Sequence, residues 1–476
     1  MKTVYILLLL LLPLGFYASA AGGDKGHDIH IKIKGLPNDS LVRIGYYYGK
    51  TRYISQDSAR PDSKGELRFK GDKTLPEGVY LCIWPKGYFE FLVTEQSFSL
   101  ETDVTEPELD MKVKGSKENA CFYEFRKYTA EKGKIADSLN RILTKRKNKD
   151  SIKTLKDEMR VVDKSVDSFR KVFMAKYPNS FSVLLLKAVI EPVVPETPLL
   201  PDGKKDSTFP YRFYKAHYFD NINFSDERIS RTPFYENKLE FYLKNLVVPA
   251  SDSIMRDVDN IIERSKASTG MFKYTLSWIL NYYDKSEYMG MDAITSHLTE
   301  KYYLSGQATW ATPNDISYMT KRDSIVSHLL IGKTAVDLYL TDSNGKVITL
   351  YSVNHKYTIL YFWDATCGHC QKETPILHDF YEKNKSKYDL EIYAVTIERK
   401  SGQKDWRAYI NEHKLGDWIN VWDSFTYYNF NKTYDIYSTP VIYILNSSKQ
   451  IIAKRVDVSQ LQEFFENQQK REQKKP

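Results

Sequence analysis

Only four of the 476 residues are cysteine, and two of them, Cys82 and Cys121, stand far apart in unlike surroundings. A structural zinc site closes with four ligands, commonly two Cys-x-x-Cys pairs. Cys367 and Cys370 form one such pair and no second completes it, so zinc and other metals drop out of the readings of this motif. Cys82 lies in the strand-like run "VYLCIWP" and Cys121 in a stretch with helical character. Both are therefore expected as buried, unpaired thiols.

Other absences narrow the function further. After residue 20 no stretch approaches the roughly 20 apolar residues that a bilayer span needs. Apart from the tail "KREQKKP", the basic residues behind the net charge of +8 are scattered. That distribution gives no nucleic-acid footprint, and no nucleic-acid partner is expected. The chain also has no repeat of fixed period and no low-complexity tract.

What is present begins with a leader. Lys2, the apolar "VYILLLLLLPLGFY" and Ala18-Ser19-Ala20 have the order of a cleaved signal peptide, residues 1–20. No cysteine follows the cleavage site, so there is no attachment point for a lipid anchor, and the mature protein is expected to be soluble and exported to the periplasm. The apolar fraction of 42% and charged fraction of 27% suit an ordinary globular chain of two to four domains. Aromatic residues, 14% of the chain with 36 tyrosines, fit β-rich cores and tyrosine-lined helix seams, or a surface that holds protein clients.

Three patterns follow one another. Residues 27–115 carry short alternating runs broken by turns, among them "HDIHIKIKG", which places Ile29, Ile31 and Ile33 on one face. This predicts a β-sandwich. Residues 116–330 show helical periodicity, as in "SDSIMRDVDNIIERSKA", where Ile254, Val258, Ile261 and Ile262 form one stripe. The proline-rich "IEPVVPETPLLPDGKKD" reads as a loop between helices. From residue 331 to about 470 the pattern becomes mixed α/β. "DLYLTDSNGKVITLYSV" predicts a hairpin with a two-residue Asn344-Gly345 turn, and "KYTILYFW" a strand buried on both faces. A helix, a strand, a closing hairpin and a final helix follow. The expected whole is a multidomain α+β chain: a β-sandwich, an all-α domain and a C-terminal α/β domain.

In that last domain Cys367 ends a buried strand and opens a helix. Unpaired backbone N–H groups and the positive helix end favour thiolate over thiol there. His369, when protonated, is a second candidate stabiliser of negative sulfur. Cys370, one turn on and more buried, can attack a mixed disulfide formed at Cys367 and release the other partner. Two sulfurs in reach suffice for this relay, so no cofactor is expected.

"YFWDATCGHCQKETP", with the later "YDIYSTPVIYILN", resembles the thioredoxin superfamily over about residues 331–465. It is most similar to exported disulfide reductases that serve cytochrome c maturation and related periplasmic tasks. The resemblance implies that Pro440 is cis and lies against the redox pair, and that Thr439 offers backbone to a client strand, with Trp363 also at the client site. It implies that Glu373 manages the proton of Cys370. Thr366 departs from the aromatic residue usual before the first cysteine, and Tyr361 stands where thioredoxin keeps a buried aspartate. Gly368-His369 is the dipeptide of protein disulfide isomerases. The preceding segments, including "VKGSKENACFYEF" and "DERISRTPFYENKLEFYL", resemble uncharacterised domains found ahead of thioredoxin-like domains in exported proteins of Gram-negative gut bacteria. The expected activity is thiol-disulfide exchange, as reductase or isomerase, on exported client proteins, with a membrane electron donor or acceptor. The rival reading is an exported peptide- or glycan-binding protein with an accessory redox domain.

Overall fold

A computed structural model describes residues 26–146, 148–286, 288–397 and 404–473. The expected leader, residues 1–20, lies outside the described residues. Among them, no helix is long and apolar enough to cross a membrane.

The N-terminal strands are β1 (His27–Lys34), β2 (Val42–Tyr47), β3 (Tyr53–Ala59), β4 (Glu66–Gly71), β5 (Gly78–Trp84), β6 (Gly87–Val93), β7 (Ser97–Asp103) and β8 (Lys112–Lys114). They form two four-stranded sheets, ordered β4-β1-β7-β8 and β3-β2-β5-β6. Alternation decides which face is inside: Ile29, Ile31 and Ile33 point into a core with Phe69, Tyr80, Phe89, Phe91 and Leu100. The pairings are antiparallel except β1 with β7, which runs parallel. Cys82 belongs to this core, Cys121 packs with Phe173 and Val183, and both are free thiols.

Helices follow as expected. Ser116 caps Lys117–Leu143 by accepting from the Asn119 N–H, and Glu95 accepts from the Ser116 hydroxyl and the Lys117 N–H, tying the helix start to the strand region. Ile254, Val258, Ile261 and Ile262 are all buried. Residues 191–198 are irregular, in keeping with their prolines. The chain packs as two compact units, Met1–Val248 with Asn260–Thr275, and Pro249–Asp259 with Leu276–Pro476. The helical stretch is thus shared: Asp292–Leu298 and Pro313–Val326 belong to the same unit as the C-terminal sheet.

That sheet has seven strands: β9 (Tyr339–Asp342), β10 (Val347–Thr349), β11 (Tyr357–Trp363), β12 (Leu390–Thr396), β13 (Ile419–Trp422), β14 (Val441–Asn446) and β15 (Ile451–Lys454), ordered β10-β9-β13-β12-β11-β14-β15. β11 is interior, between β12 and β14, and buried along its whole length. Ile359, Tyr361 and Trp363 enter one core, while Leu360 and Phe362 enter the core on the other face. That two-sided burial is why the strand reads as a continuous apolar run. The β9–β10 hairpin differs from expectation in its turn. Asp342 N–H donates to the Lys346 carbonyl and Gly345 N–H to that of Asp342. The loop is therefore three residues, 343–345, closed by Gly345 at φ 86°.

Candidate active site

β11, β12 and β13 run parallel, so the segments leaving them emerge at one edge of the sheet. β14, antiparallel to β11, enters at that edge. This gathers the cysteine motif after β11 and the Thr439–Pro440 segment before β14. Asp364 organises the turn between strand and helix. Its carboxylate accepts from the Thr366 N–H at 2.8 Å and hydroxyl at 2.7 Å, and its carbonyl accepts from the Cys367 N–H at 3.1 Å. Cys367 is the N-cap, with extended backbone, of the helix Gly368–Tyr388.

At this position burial pushes the Cys367 thiol up, but the backbone N–H groups of Cys370 and His369 and the Thr439 side chain outweigh it, and the net shift is downward. The Cys367 Sγ lies 3.5 Å from the Thr439 carbonyl oxygen, and the Thr439–Pro440 bond is cis. Cys370 is fully buried, and burial pushes its thiol up to about 12. The two sulfurs are thus split into an ionisable, half-exposed thiol and a buried one that holds its proton.

The His369 side chain is exposed, and the backbone N–H of this residue is among the groups that lower the Cys367 thiol. Glu373 is half-buried on the Cys370 side of the helix, close enough to act electrostatically on Tyr361. Trp363 is a correction. Expected at the client site, it is 0% exposed, stacked on Tyr361 and edge-on to Tyr409. As the last residue of a strand covered on both faces it supports the site from beneath, out of a client's reach.

Two supporting groups went unread in the sequence. The Tyr361 hydroxyl pairs with that of Thr374 at 2.8 Å in a buried contact, one helical turn beyond Cys370. Thr374 at that spacing was the available signal. Pro375 lies inside the helix and has no N–H for the Gln371 carbonyl. The Tyr409 hydroxyl donates to that carbonyl instead, at 3.4 Å. Of the described residues, His378, Glu382 and Asp417 come close enough to hold a metal ion. The Lys385 ammonium already sits on two of them, 2.5 Å from Glu382 and 3.1 Å from Asp417.

The split between the thiols gives a chemical test. With the pair reduced, the pH dependence of iodoacetamide alkylation is expected to show one reactive thiol, Cys367, with its midpoint below the ordinary thiol value of 9.0. Below that midpoint its rate falls as the thiolate takes a proton. Cys82, whose thiol burial also pushes up, and Cys370 are expected to alkylate only after unfolding. A midpoint at or above 9.0 would remove the basis for treating Cys367 as the attacking sulfur.

Parts of the chain are similar to known proteins. Residues 354–451 match the family described as thioredoxin-like. Residues 27–122 and 144–321 match two domains of unknown function, DUF4369 and DUF5106. The thiol-disulfide oxidoreductase ResA of Bacillus thuringiensis subsp. konkukian (strain 97-27) is 28% identical over 142 residues, 28% of this chain and 72% of that relative. ResA of Bacillus thuringiensis (strain Al Hakam) is 40% identical over 65 residues, 14% of this chain and only 37% of its own length. A solved domain of a possible thiol-disulfide isomerase from Cytophaga hutchinsonii is 47% identical, covering 31% of this chain and 97% of that one, with a TM-score of 0.29. The fold and the cysteine pair define the C-terminal part as a thioredoxin-like domain of the thiol-disulfide oxidoreductase class. The chain is similar there to ResA, and it carries ahead of that domain two others whose families have no known function.

Proposed function

We propose that this protein exchanges thiols and disulfides with exported client proteins in the periplasm, as a reductase or isomerase. One observation carries the reading: a thiol with lowered pKa at a helix N-terminus, 3.5 Å from the Thr439 carbonyl, backed by a second thiol held protonated by burial. The Cys367 thiolate attacks one sulfur of a client disulfide. A Cys367–client bond forms, and the other client sulfur leaves and takes a proton. Cys370 then loses its proton and attacks the Cys367 sulfur, which forms the Cys367–Cys370 disulfide and frees the second client thiol. The client gains two electrons and the pair loses them. A thiol or a membrane electron donor restores the pair, and no metal or organic group takes part.

The second step needs a base, because a thiol near 12 is almost wholly protonated at neutral pH. Glu373 fills that role in this scheme. Glu373→Gln is expected to slow resolution of a preformed Cys367–glutathione disulfide by roughly tenfold or more, while alkylation of Cys367 stays near wild type. Equal rates of resolution would take Glu373 out of the scheme. Client contact falls to Thr439, Pro440 and exposed aromatic side chains on segments at the same sheet edge. Phe425 and Tyr427 follow β13, and Tyr437 precedes Pro440; they are 72%, 81% and 67% exposed. Reduction of a glutathionylated peptide with dithiothreitol as electron source tests the function. A rate no faster than the uncatalysed reaction would refute it.

A further inference from the structure

Arg322 is remote in sequence from the cysteines, on the helix Pro313–Val326, within the compact unit that contains the thioredoxin-like fold. Its guanidinium forks onto both carboxylate oxygens of Asp435, one of the two bonds measuring 3.1 Å. Arg455, just past β15, donates to the same carboxylate at 2.5 Å and to the Asp435 carbonyl at 3.4 Å. Asp435 is only 7% exposed, and its backbone is left-handed at φ 56°. Aspartate enters that region more readily than most non-glycine residues but is not confined to it. Two guanidinium groups on one buried carboxylate hold it there.

Asp435 stands four residues before Thr439, whose carbonyl faces the Cys367 sulfur. Behind Asp435 the chain is tied as well, since the Tyr434 carbonyl accepts from the buried Tyr443 hydroxyl at 2.7 Å. Ahead of it Tyr437 and Ser438 are exposed. Arg322, Arg455, Asp435 and Tyr443 also wall a cavity of about 570 Å³. Close packing therefore does not back the segment on that side, and the charged clamp crosses the gap instead.

We propose that Arg322 is a positioning residue for the client site: through Asp435, the helix Pro313–Val326 fixes where the Thr439 carbonyl stands relative to Cys367. The helices ahead of the redox domain are then part of its client-binding machinery. The activity arm of the test rests on the exchange reaction proposed above; the exchange of backbone amides does not.

Wild type, Arg322→Ala and Arg322→Lys are compared in the full chain. Amide hydrogen exchange at 436–439 and 441–442 is expected to quicken at least tenfold in Arg322→Ala, with β11 and β12 unchanged. With a glutathionylated peptide and dithiothreitol, KM is expected to rise at least fivefold. The pH midpoint of Cys367 alkylation by iodoacetamide moves upward as the Thr439 contribution is lost, while Cys82 stays unreactive until unfolding, which a general loss of structure would not allow. Arg322→Lys keeps the charge without the fork and is expected to fall between the other two. Wild-type exchange at 436–442 in Arg322→Ala would overturn the proposal. So would uniform quickening across the unit in Arg322→Lys, the variant that decides should the alanine variant fail to fold. If the wild type does not reduce the peptide, the exchange reaction falls, and the amide measurement still judges Arg322.

Discussion

Cys370→Ala is expected to abolish turnover and leave clients covalently attached to Cys367. The substitution spares the attacking sulfur and removes the only thiol placed to resolve its mixed disulfide. The other cysteines are no substitute, because Cys82 and Cys121 are buried elsewhere. With a glutathionylated peptide, reduced Cys370→Ala should consume one equivalent and stop, carrying a stable adduct on Cys367. In extracts of cells that export the variant, non-reducing electrophoresis followed by reduction should release the clients that the sequence cannot name. Filling the small space left by the thiol costs little, so the fold should survive. With no other thiol present, absence of a stable adduct on Cys367 in this variant would show that Cys370 is not the resolving thiol.

Cys367→Ser is expected to remove both the first step and the adduct. A hydroxyl at this helix N-cap does not ionise in the working pH range, so the N–H groups aimed at residue 367 have no anion to stabilise. Serine is a good N-cap, and stability should hold or rise slightly. Loss of exchange of at least a thousandfold with an unchanged unfolding midpoint is the expected pair of results. Residual exchange within tenfold of wild type would mean that the chemistry resides elsewhere.

The legible parts of this protein were those in which a local pattern and the tertiary environment demand the same thing. β11 reads as apolar throughout because both its faces are covered. The stripe at Ile254, Val258, Ile261 and Ile262 reads as a helix because one face is covered, and all four residues are buried. The cysteine pair was legible because strand, turn and helix N-terminus are adjacent in sequence. The hairpin turn was misread by one residue, since Asn-Gly suits both a two-residue turn and the three-residue loop that Gly345 closes. Trp363 was placed at the client site by the resemblance, although it ends the apolar run whose burial on both faces the local pattern already demands. The Tyr361–Thr374 and Arg322–Asp435 contacts join residues whose partnership exists only in the fold. His369 shows a subtler limit. Its identity drew attention to an imidazole, while its backbone N–H, which every residue but proline would supply, is also among the groups acting on Cys367.

That last distinction bears on direction of electron flow. Stabilising the Cys367 thiolate stabilises the reduced pair, which makes it easier to reduce and a weaker electron donor. His369→Ala keeps the N–H, and His369→Pro removes it. The proline variant should therefore be the more reducing of the two. Equilibration of the wild-type protein with glutathione redox buffers, with free thiols counted by mass after alkylation, tests the central claim most directly. The expected result is one two-electron transition confined to Cys367 and Cys370, at roughly −180 to −270 mV, between an isomerase and thioredoxin. A pair that stays reduced across the range, or thiols that oxidise one at a time as separate glutathione adducts, would contradict it.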